Sequence, residues 1–267
     1  MVLTLAKEIT FVAAMAQNVY DQPDFFEAYS GLRRSVEGLN GAPEWPVVRA
    51  LLPDLRRLSV VDLGCGFGWF CRWARANGAA TVLGLDLSAK MLSRARATTS
   101  DDSISYQQCN LEALDLPEES FDLAYSSLAF HYVEDATRLF ARIRRLLAAG
   151  GHLVFSIEHP IYMAPARPGW STGEDGEKVW PLNRYFQEGP RTTDWLTNGV
   201  VKHHRTIGTS LNLLIKSGFV IEHVEEFCPA PAQVAARPEL AEEIERPMFL
   251  IVRARAGIKE VADQSGR

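Results

Sequence analysis

The stretch Val60-Val61-Asp62-Leu63-Gly64-Cys65-Gly66-Phe67-Gly68 decides the fold of this chain. Its apolar beginning is typical of a short strand in a parallel sheet that is buried on both faces. The glycines that follow favour a tight turn with positive φ, where a ligand can approach the backbone closely. Residues 69–77 have the pattern of a helix, and Gly78 stands where that helix should end. This strand, turn and helix predict a ligand site at the carboxyl end of the first strand.

The alternation of strands and helices continues along the chain. Further strands are predicted at 81–85, 121–130 and 152–157, and further helices after Ser88 and at 136–148. This order is typical of the α/β class and predicts a doubly wound, Rossmann-like, mostly parallel sheet with helices on both faces. A helix at 206–217 and strands at 219–227 and 248–255 predict an antiparallel C-terminal strand pair.

Composition excludes several classes of function. The net charge is −5, so the chain has no overall positive field that would attract a nucleic acid, and no nucleic-acid partner is expected. The four cysteines form no C-x-x-C pair, which argues against a disulfide framework or a zinc site, and no metal is predicted. No apolar run approaches the roughly 20 residues that span a bilayer, so no membrane association is expected. Lys7 and Glu8 interrupt the first apolar segment, and the predicted location is the cytoplasm.

The residues after the second strand indicate the kind of ligand. Asp86 follows that strand, where an acid can accept hydrogen bonds from both hydroxyls of a ribose; the alternative is an acid that only favours a helix N-terminus. Dinucleotide-binding proteins usually carry G-x-G-x-x-G, and Trp69 occupies the place of the third glycine. An indole there fits a pyrophosphate poorly but tolerates a nucleoside without phosphate. An NAD-dependent Rossmann oxidoreductase remains the alternative.

Four segments resemble the motifs of class I S-adenosylmethionine-dependent methyltransferases. VVDLGCGFG (60–68) is similar to their first motif and LGLDLS (83–88) to their second. CNLEALDLPEESFDLAYSSLAFHYVED (109–135) is similar to their adenine-binding segment and to the segment after the fourth strand, and LLAAGGHLVFSIEHP (146–160) to their fifth-strand motif. The resemblance covers roughly residues 20–255 and is closest to the small-molecule branch that includes ubiquinone- and biotin-pathway enzymes.

The resemblance implies S-adenosylmethionine as cofactor, S-adenosylhomocysteine as product, and methyl transfer to an O, N or C atom of a small acceptor. A non-catalytic protein that binds S-adenosylmethionine is a further alternative. The cofactor residues implied by position are Tyr29, Arg33, Asp62, Gly64, Gly66, Gly68, Asp86, Leu87, Met91, Asn110, Leu111, Glu112 and Ser126.

Within this set, the resemblance gives each group a part of the cofactor. The three glycines line the methionine part with support from Asp62. Arg33 pairs with the methionine carboxylate, and a solvated surface helix is the alternative for the segment that contains Tyr29 and Arg33. Asp86 holds the ribose. Leu87 and Met91 contact the adenosine, and residues 110–112 flank the adenine. Many relatives have an acid where Asn110 stands, but the amide oxygen can still accept a hydrogen bond from the adenine amino group.

Two histidines are the candidate catalytic residues. His131 follows the fourth strand and is a candidate general base, with structural packing as the alternative. His159 follows the fifth strand at the same rim. Aromatic residues in the segment between the fifth strand and the next helix are expected to form a lid or a pocket wall for the acceptor; a small separate core is the alternative. The acceptor contacts predicted there are Trp170, Tyr185, Trp195 and His203.

The domain prediction is one methyltransferase domain over 15–257. It comprises a helical lead-in (15–58), a cofactor-binding core (59–157), an aromatic insert that caps the substrate site (158–205), and a closing helix and strands (206–257). Residues 1–14 and 258–267 are expected to be flexible ends, and Met15 is a candidate start. The sequence leaves open the acceptor, the methylated atom and the oligomeric state.

Overall fold

Seven strands form one sheet in the computed structural model, which describes residues 17–257. The predictions about residues 1–14, Met15 and 258–267 therefore lie outside the described residues. The strands of this sheet are β1 (Ser59–Leu63), β2 (Thr81–Asp86), β3 (Ile104–Gln108), β4 (Phe121–Ser127), β5 (Leu147–Glu158), β10 (Phe219–Glu226) and β11 (Phe249–Ala256). Two further pairs are β6 (Ser171–Thr172) with β7 (Lys178–Val179) and β8 (Gly189–Trp195) with β9 (Thr197–His204).

The strand order in the main sheet is β10-β11-β5-β4-β1-β2-β3. Strands β1 to β5 pair in parallel, whereas β11 pairs antiparallel with both β5 and β10. The predicted doubly wound, mostly parallel sheet with an antiparallel C-terminal pair is thus confirmed. The carboxyl ends of β5, β4, β1 and β2 lie side by side at one edge, which is where such a sheet binds ligands.

Ten helices surround the sheet within the described part of the chain. They are α1 (Pro23–Ser30), α2 (Arg33–Val36), α3 (Trp45–Leu51), α4 (Trp69–Ala76), α5 (Ala89–Ala97), α6 (Ala136–Leu146), α7 (Pro160–Met163), α8 (Ile207–Lys216), α9 (Pro231–Ala236) and α10 (Glu242–Glu245). The Ser88 hydroxyl caps α5 by accepting a hydrogen bond from Met91 N at 3.1 Å, as predicted. Over residues 17–257, no helix has the length and apolar character needed to cross a membrane.

The first strand is buried on both faces because its side chains alternate between two apolar layers. Val61 and Leu63 pack in the cluster that contains the apolar face of α6. Val60 packs on the other side, with Phe70, Cys71 and Ala74 of α4. This two-sided burial explains why the strand reads as a continuous apolar run rather than an alternating one.

The structure corrects the predicted elements in four places. Strand β5 begins at Leu147 rather than at 152, and β4 ends at Ser127, before the 3-10 turn Phe130–Tyr132. Strand β3 was not predicted because its residues after Ile104 are polar and mostly exposed. The insert, predicted to be loop-rich, contains the two antiparallel pairs β6–β7 and β8–β9.

Gly68 is required by the packing between the first turn and β3. Its φ is +71°, and a Cβ atom at this position would collide with the Tyr106 hydroxyl. Gly150 has a similar φ of +78°, but a Cβ there would meet nothing within 4 Å. Both glycines therefore have a positive φ that disfavours other residues, but only Gly68 lacks the space for a side chain.

We expect Gly68→Ala to lower the free energy of unfolding by more than Gly150→Ala. Both substitutions place an L-residue in the left-handed region, which costs about 1–2 kcal/mol. Only the substitution at 68 also displaces the Tyr106 side chain. Urea unfolding of the two variants measures the difference. Equal losses would show that the tyrosine moves aside without cost.

Candidate active site

A cavity of about 480 Å³ lies along the carboxyl ends of the parallel strands. Residues at or just after the carboxyl ends of β1, β2, β4 and β5 line it, among them Gly64, Asp86, Ala129 and Glu158. Because β2 and β5 are separated by β1 and β4, the cavity has two ends, which we call the β2 end and the β5 end. Residues of α1 and α2 and Trp195 from the insert also line it.

Asp86 is the central polar residue of the β2 end. Its Oδ2 accepts a hydrogen bond from Gly66 N at 2.8 Å, and its Oδ1 accepts one from Ser88 N at 2.9 Å. Burial raises the pKa of Asp86 to about 6. Each carboxylate oxygen can accept a further hydrogen bond. The side chain can therefore receive two neighbouring hydroxyls of a sugar.

Gly66 leaves the space beside Asp86 open to a ligand. Its φ is +51°, and a Cβ atom built on it would meet no protein atom within 4 Å, although the residue lines the cavity. Gly64 also lines the cavity, but its Cβ would lie 2.5 Å from the Ala129 Cβ. The first glycine thus keeps the turn close to the loop after β4, and the second keeps the site accessible.

The predicted adenosine residues continue the cavity beyond Asp86. Leu87, Met91 and Leu111 provide apolar surface there. The Asn110 side-chain oxygen accepts a hydrogen bond from Glu112 N at 3.0 Å and retains one lone pair for a ligand. Glu112 lines the cavity and fixes the loop after β4, since its carboxylate accepts a hydrogen bond from Glu134 N at 2.5 Å.

Two residues predicted to contact the cofactor lie outside the cavity lining. Ser126 is fully buried, and its hydroxyl donates a hydrogen bond of 2.6 Å to the Leu63 carbonyl, which ties β4 to β1. Gly68 precedes α4 and packs against Tyr106. Both residues contact neighbouring protein groups instead of the cavity, and they support the residues that line it.

Asp62 lies beneath the glycine turn and lines the cavity. Its side chain is buried, and the Cys71 thiol donates a hydrogen bond to its Oδ2 at 3.3 Å. Burial raises the pKa of Asp62 to about 7. This is consistent with a supporting position for Asp62, close to the backbone that is predicted to hold the methionine part.

Two neighbouring arginines of α2 line the cavity, and they differ in burial. The predicted cofactor arginine, Arg33, has a side chain that is 51% exposed and pairs with Glu37 and Glu239. Arg34 is the more buried one, and its Nη2 binds both carboxylate oxygens of Glu44, at 3.0 and 3.2 Å. The sequence gives no signal that separates the two, because the arginines are adjacent and only packing decides which one turns inward.

Aromatic side chains cover the cavity. The Tyr20 hydroxyl donates a hydrogen bond to the Tyr132 oxygen at 3.2 Å, and the Tyr20 and Tyr29 rings meet edge to face with centroids 5.3 Å apart. Trp195 packs against Tyr29 with centroids 6.3 Å apart. All four residues line the cavity. Tyr29 was predicted for the cofactor and Trp195 for the acceptor, and the structure brings them together.

The other predicted acceptor contacts in the insert do not reach this cavity. Trp170 packs on Trp180, with ring centroids 5.4 Å apart. The Tyr185 hydroxyl accepts a hydrogen bond from Ile207 N at 3.2 Å. His203 lines a separate cavity of about 30 Å³. The three residues thus contact different neighbours, and their contact with the acceptor stays a prediction.

Arg246 packs within a cluster of three aromatic rings that includes Trp170. Its guanidinium carbon lies 4.2 to 5.4 Å from the ring centroids of Tyr162, Trp170 and Trp180, and its Nη2 binds Glu243 at 3.0 Å. Cation–π contacts of this kind stabilise a charged group away from water. The aromatic composition of the insert therefore reflects both packing and the cavity wall.

His131 lines the cavity, and its ring contacts the end of β5. Its Nδ1 accepts a hydrogen bond from Glu158 N at 3.3 Å, which places the ring hydrogen on Nε2. Burial, together with the positive charges of Lys202 and Arg205, lowers the pKa of His131 well below its ordinary value. The ring is therefore neutral and offers a donor in this arrangement, and its role as a general base stays a prediction.

His159 is a structural residue. It is fully buried, its Nε2 is 2.8 Å from Glu226 Oε1, and its Nδ1 accepts a hydrogen bond from Ile161 N at 3.1 Å at the start of α7. Both ring nitrogens are thus engaged by protein groups, and the residue does not line the cavity. The catalytic role predicted for His159 is therefore corrected. Within residues 17–257, no group of three or more His, Cys, Asp or Glu is arranged to hold a metal ion.

Comparison with known proteins identifies the class to which this site belongs. A family model described as a methyltransferase domain matches residues 61–155. The crystal structure of an S-adenosylmethionine-dependent methyltransferase from Mesorhizobium loti is 66% identical; the match covers 82% of this chain and 100% of that one, with a TM-score of 0.80. The chain belongs to the S-adenosylmethionine-dependent methyltransferases, and it is an enzyme that uses this cofactor.

Two curated relatives show how far the likeness extends. An uncharacterized protein from Haemophilus influenzae is 36% identical over 250 residues, which covers 89% of this chain and 96% of that protein. A malonyl-[acyl-carrier protein] O-methyltransferase from Erwinia billingiae is 41% identical over 97 residues, only 36% of this chain and 38% of that protein. The malonyl-[acyl-carrier protein] O-methyltransferase, whose name states its acceptor, therefore resembles this chain over less than half of either protein.

The residues of the β2 end fit S-adenosylmethionine. Asp86 offers acceptors for two ribose hydroxyls, Gly66 leaves room beside the backbone, and the apolar residues 87, 91 and 111 can enclose a purine ring. At the turn, Asp62 and the arginines Arg33 and Arg34 line the same cavity. The assignment of each residue to a part of the cofactor remains a prediction.

We expect Asp86→Asn to weaken the binding of S-adenosylmethionine at pH 8 by about 1–3 kcal/mol, because an amide replaces charge-assisted hydrogen bonds. The pKa of about 6 also predicts that wild-type affinity decreases as the pH falls below 6, where the carboxyl group becomes protonated. The variant should lack this dependence. Isothermal titration calorimetry between pH 5 and pH 8 measures both effects.

Asp101→Asn is the control for this experiment, since Asp101 pairs with Arg75 and does not line the cavity. We expect its affinity and pH dependence to match those of the wild type. If Asp86→Asn binds the cofactor as tightly as the wild type does, then Asp86 does not hold the ribose.

Proposed function

We propose that this enzyme transfers the methyl group of S-adenosylmethionine to an O, N or C atom of a small-molecule acceptor in the cytoplasm. The observation that carries the proposal is a continuous cavity with two chemically different ends. The β2 end offers Asp86 and the open Gly66 backbone, and the β5 end is walled by Tyr132, Tyr162 and Trp195. One cavity can therefore hold a cofactor and an acceptor in contact.

The size and cover of the cavity favour a small acceptor. A volume of about 480 Å³ lies in the usual range for small-molecule sites. Tyr20 and Tyr29 lie over it, with Trp195 from the insert against them. A cavity of this size in a chain of net charge −5 is also a poor match for a nucleic-acid strand. The cytoplasmic location rests on the N-terminal sequence pattern alone.

Bound S-adenosylmethionine would supply a methyl group activated by the positive charge on sulfur. The chain's own residues bind and orient: Asp86 holds the sugar, and the aromatic cover excludes water from the reacting atoms. His131 can donate a hydrogen bond from Nε2 to the acceptor. Catalysis then depends mainly on positioning, which suits a displacement at carbon.

The partial match to malonyl-[acyl-carrier protein] O-methyltransferase does not extend to the acceptor. It covers 38% of that protein, and the acceptor residues of this chain come from several separate segments. The earlier alternative of an NAD-dependent oxidoreductase is set aside by the family, and so is a protein that binds S-adenosylmethionine without catalysis.

We expect the purified protein to bind S-adenosylmethionine and S-adenosylhomocysteine with micromolar affinity and not to bind NAD. Isothermal titration calorimetry with the three compounds measures this directly. Transfer of a radiolabelled methyl group from S-adenosylmethionine to small acceptors then tests the reaction. Failure of the folded protein to bind either sulfur compound would contradict the proposal.

A further inference from the structure

Glu158 is the anionic side chain at the β5 end of the cavity. It is the last residue of β5 and lines the cavity, with a side chain that is 14% exposed. Its Oε1 accepts a hydrogen bond from Lys202 Nζ at 2.5 Å. In the part of the chain that the structure describes, residues 17–257, no donor is bonded to its Oε2. This second oxygen is therefore available to a bound molecule.

Lys202 pairs with Glu158 without lining the cavity itself. The lysine side chain is buried, and its Nζ lies 4.9 Å from the centroid of the Trp195 ring. Glu158 and Trp195 line the cavity, whereas Lys202 does not. An acceptor in the cavity consequently meets a carboxylate oxygen and an aromatic ring rather than an ammonium group.

The other polar groups at this end are hydrogen-bond donors or neutral hydroxyls. His131 is neutral and carries its hydrogen on Nε2. Burial raises the pKa of Tyr162 to about 12 and raises that of Tyr132 further, so both keep their protons. Glu158 is thus the strong hydrogen-bond acceptor of the β5 end.

The arginines and the remaining acids that line the cavity are already engaged by other groups. Arg33 pairs with Glu37 and Glu239, and Arg34 with Glu44. Arg237 also pairs with Glu239. The acids elsewhere in the cavity accept hydrogen bonds from other protein groups; they are Asp62, Asp86 and Glu112. A carboxylate acceptor at the β5 end would have no unpaired cation to receive it and would face Glu158.

We propose that Glu158 selects the acceptor: its free Oε2 accepts a hydrogen bond from a hydroxyl or amino group on the reacting molecule, and acceptors that present a carboxylate are excluded. Such a hydrogen bond is charge-assisted and therefore strong and short. Repulsion between the Glu158 carboxylate and a carboxylate on the acceptor excludes such molecules, because like charges placed side by side weaken binding. This inference rests on the proposed function, because it concerns the acceptor of the same cavity.

Three probes with the same ring test this selection: benzyl alcohol, benzylamine and benzoate. Each is titrated into the S-adenosylhomocysteine complex of the full chain, and dissociation constants are obtained from NMR chemical shifts. For the wild type we expect benzoate to bind at least about tenfold more weakly than the other two. In Glu158→Gln we expect that difference to shrink to about threefold or less, because the repelling charge is gone.

Two further variants make the result specific to Glu158. Glu226→Gln removes a half-exposed carboxylate that bonds His159 outside the cavity, and it should preserve the wild-type discrimination. Glu158→Gln leaves the buried Lys202 without its partner and can impair folding. The double variant Glu158→Gln/Lys202→Met removes both charges, and it should lose the discrimination in the same way.

Calorimetry with S-adenosylhomocysteine is run first on every variant. It distinguishes a failure of the proposed function from a failure of the inference about the acceptor. If the wild type does not bind this compound, the proposed function fails and the acceptor inference fails with it. If it binds, the inference alone is overturned by any of three results: benzoate binds as tightly as the other probes, none of the probes binds, or the discrimination persists without Glu158.

Discussion

The Asp86 carboxylate accepts hydrogen bonds from the backbone N–H groups of Gly66 and Ser88, and the cofactor site depends on this pair of contacts. They fasten the glycine turn after β1 to the start of α5, so that the ends of two neighbouring strands form one surface. The same carboxylate is buried, and its pKa is raised to about 6. A group that organises the backbone therefore also carries the acceptors that a ribose needs.

A second constraint comes from the opposite end of the cavity. The Glu158 backbone N–H fixes the His131 ring, and the Glu158 side chain binds Lys202. One residue at the end of β5 thus sets both the hydrogen position on the histidine and the position of a buried lysine beneath Trp195. The cofactor end is organised by local turns, whereas the acceptor end is organised by contacts between residues distant in the sequence.

Most residues predicted for the cofactor line one cavity, whereas Trp195 is the one predicted acceptor contact that lines it. Residues 62, 64, 66 and 86 lie at or just after the carboxyl ends of β1 and β2, and the strand order places them together once the strands are recognised. Ser126 was misassigned because strand periodicity does not tell whether a side chain at a strand end faces a ligand or the next strand. His159 was misassigned because its partner, Glu226, lies on a distant strand.

By itself, the sequence determined the α/β class, the order of the core elements and the chemistry of the cofactor, since these depend on local periodicity, glycine turns and one acid at a strand end. Only the tertiary structure decided that Arg34 is more buried than Arg33, that the Nδ1 of His131 accepts a hydrogen bond from the Glu158 backbone, and that Glu158 lines the cavity while it is paired with Lys202. The physical reason is that burial and pairing with distant charges are set by how the insert and the N-terminal helices pack on the sheet.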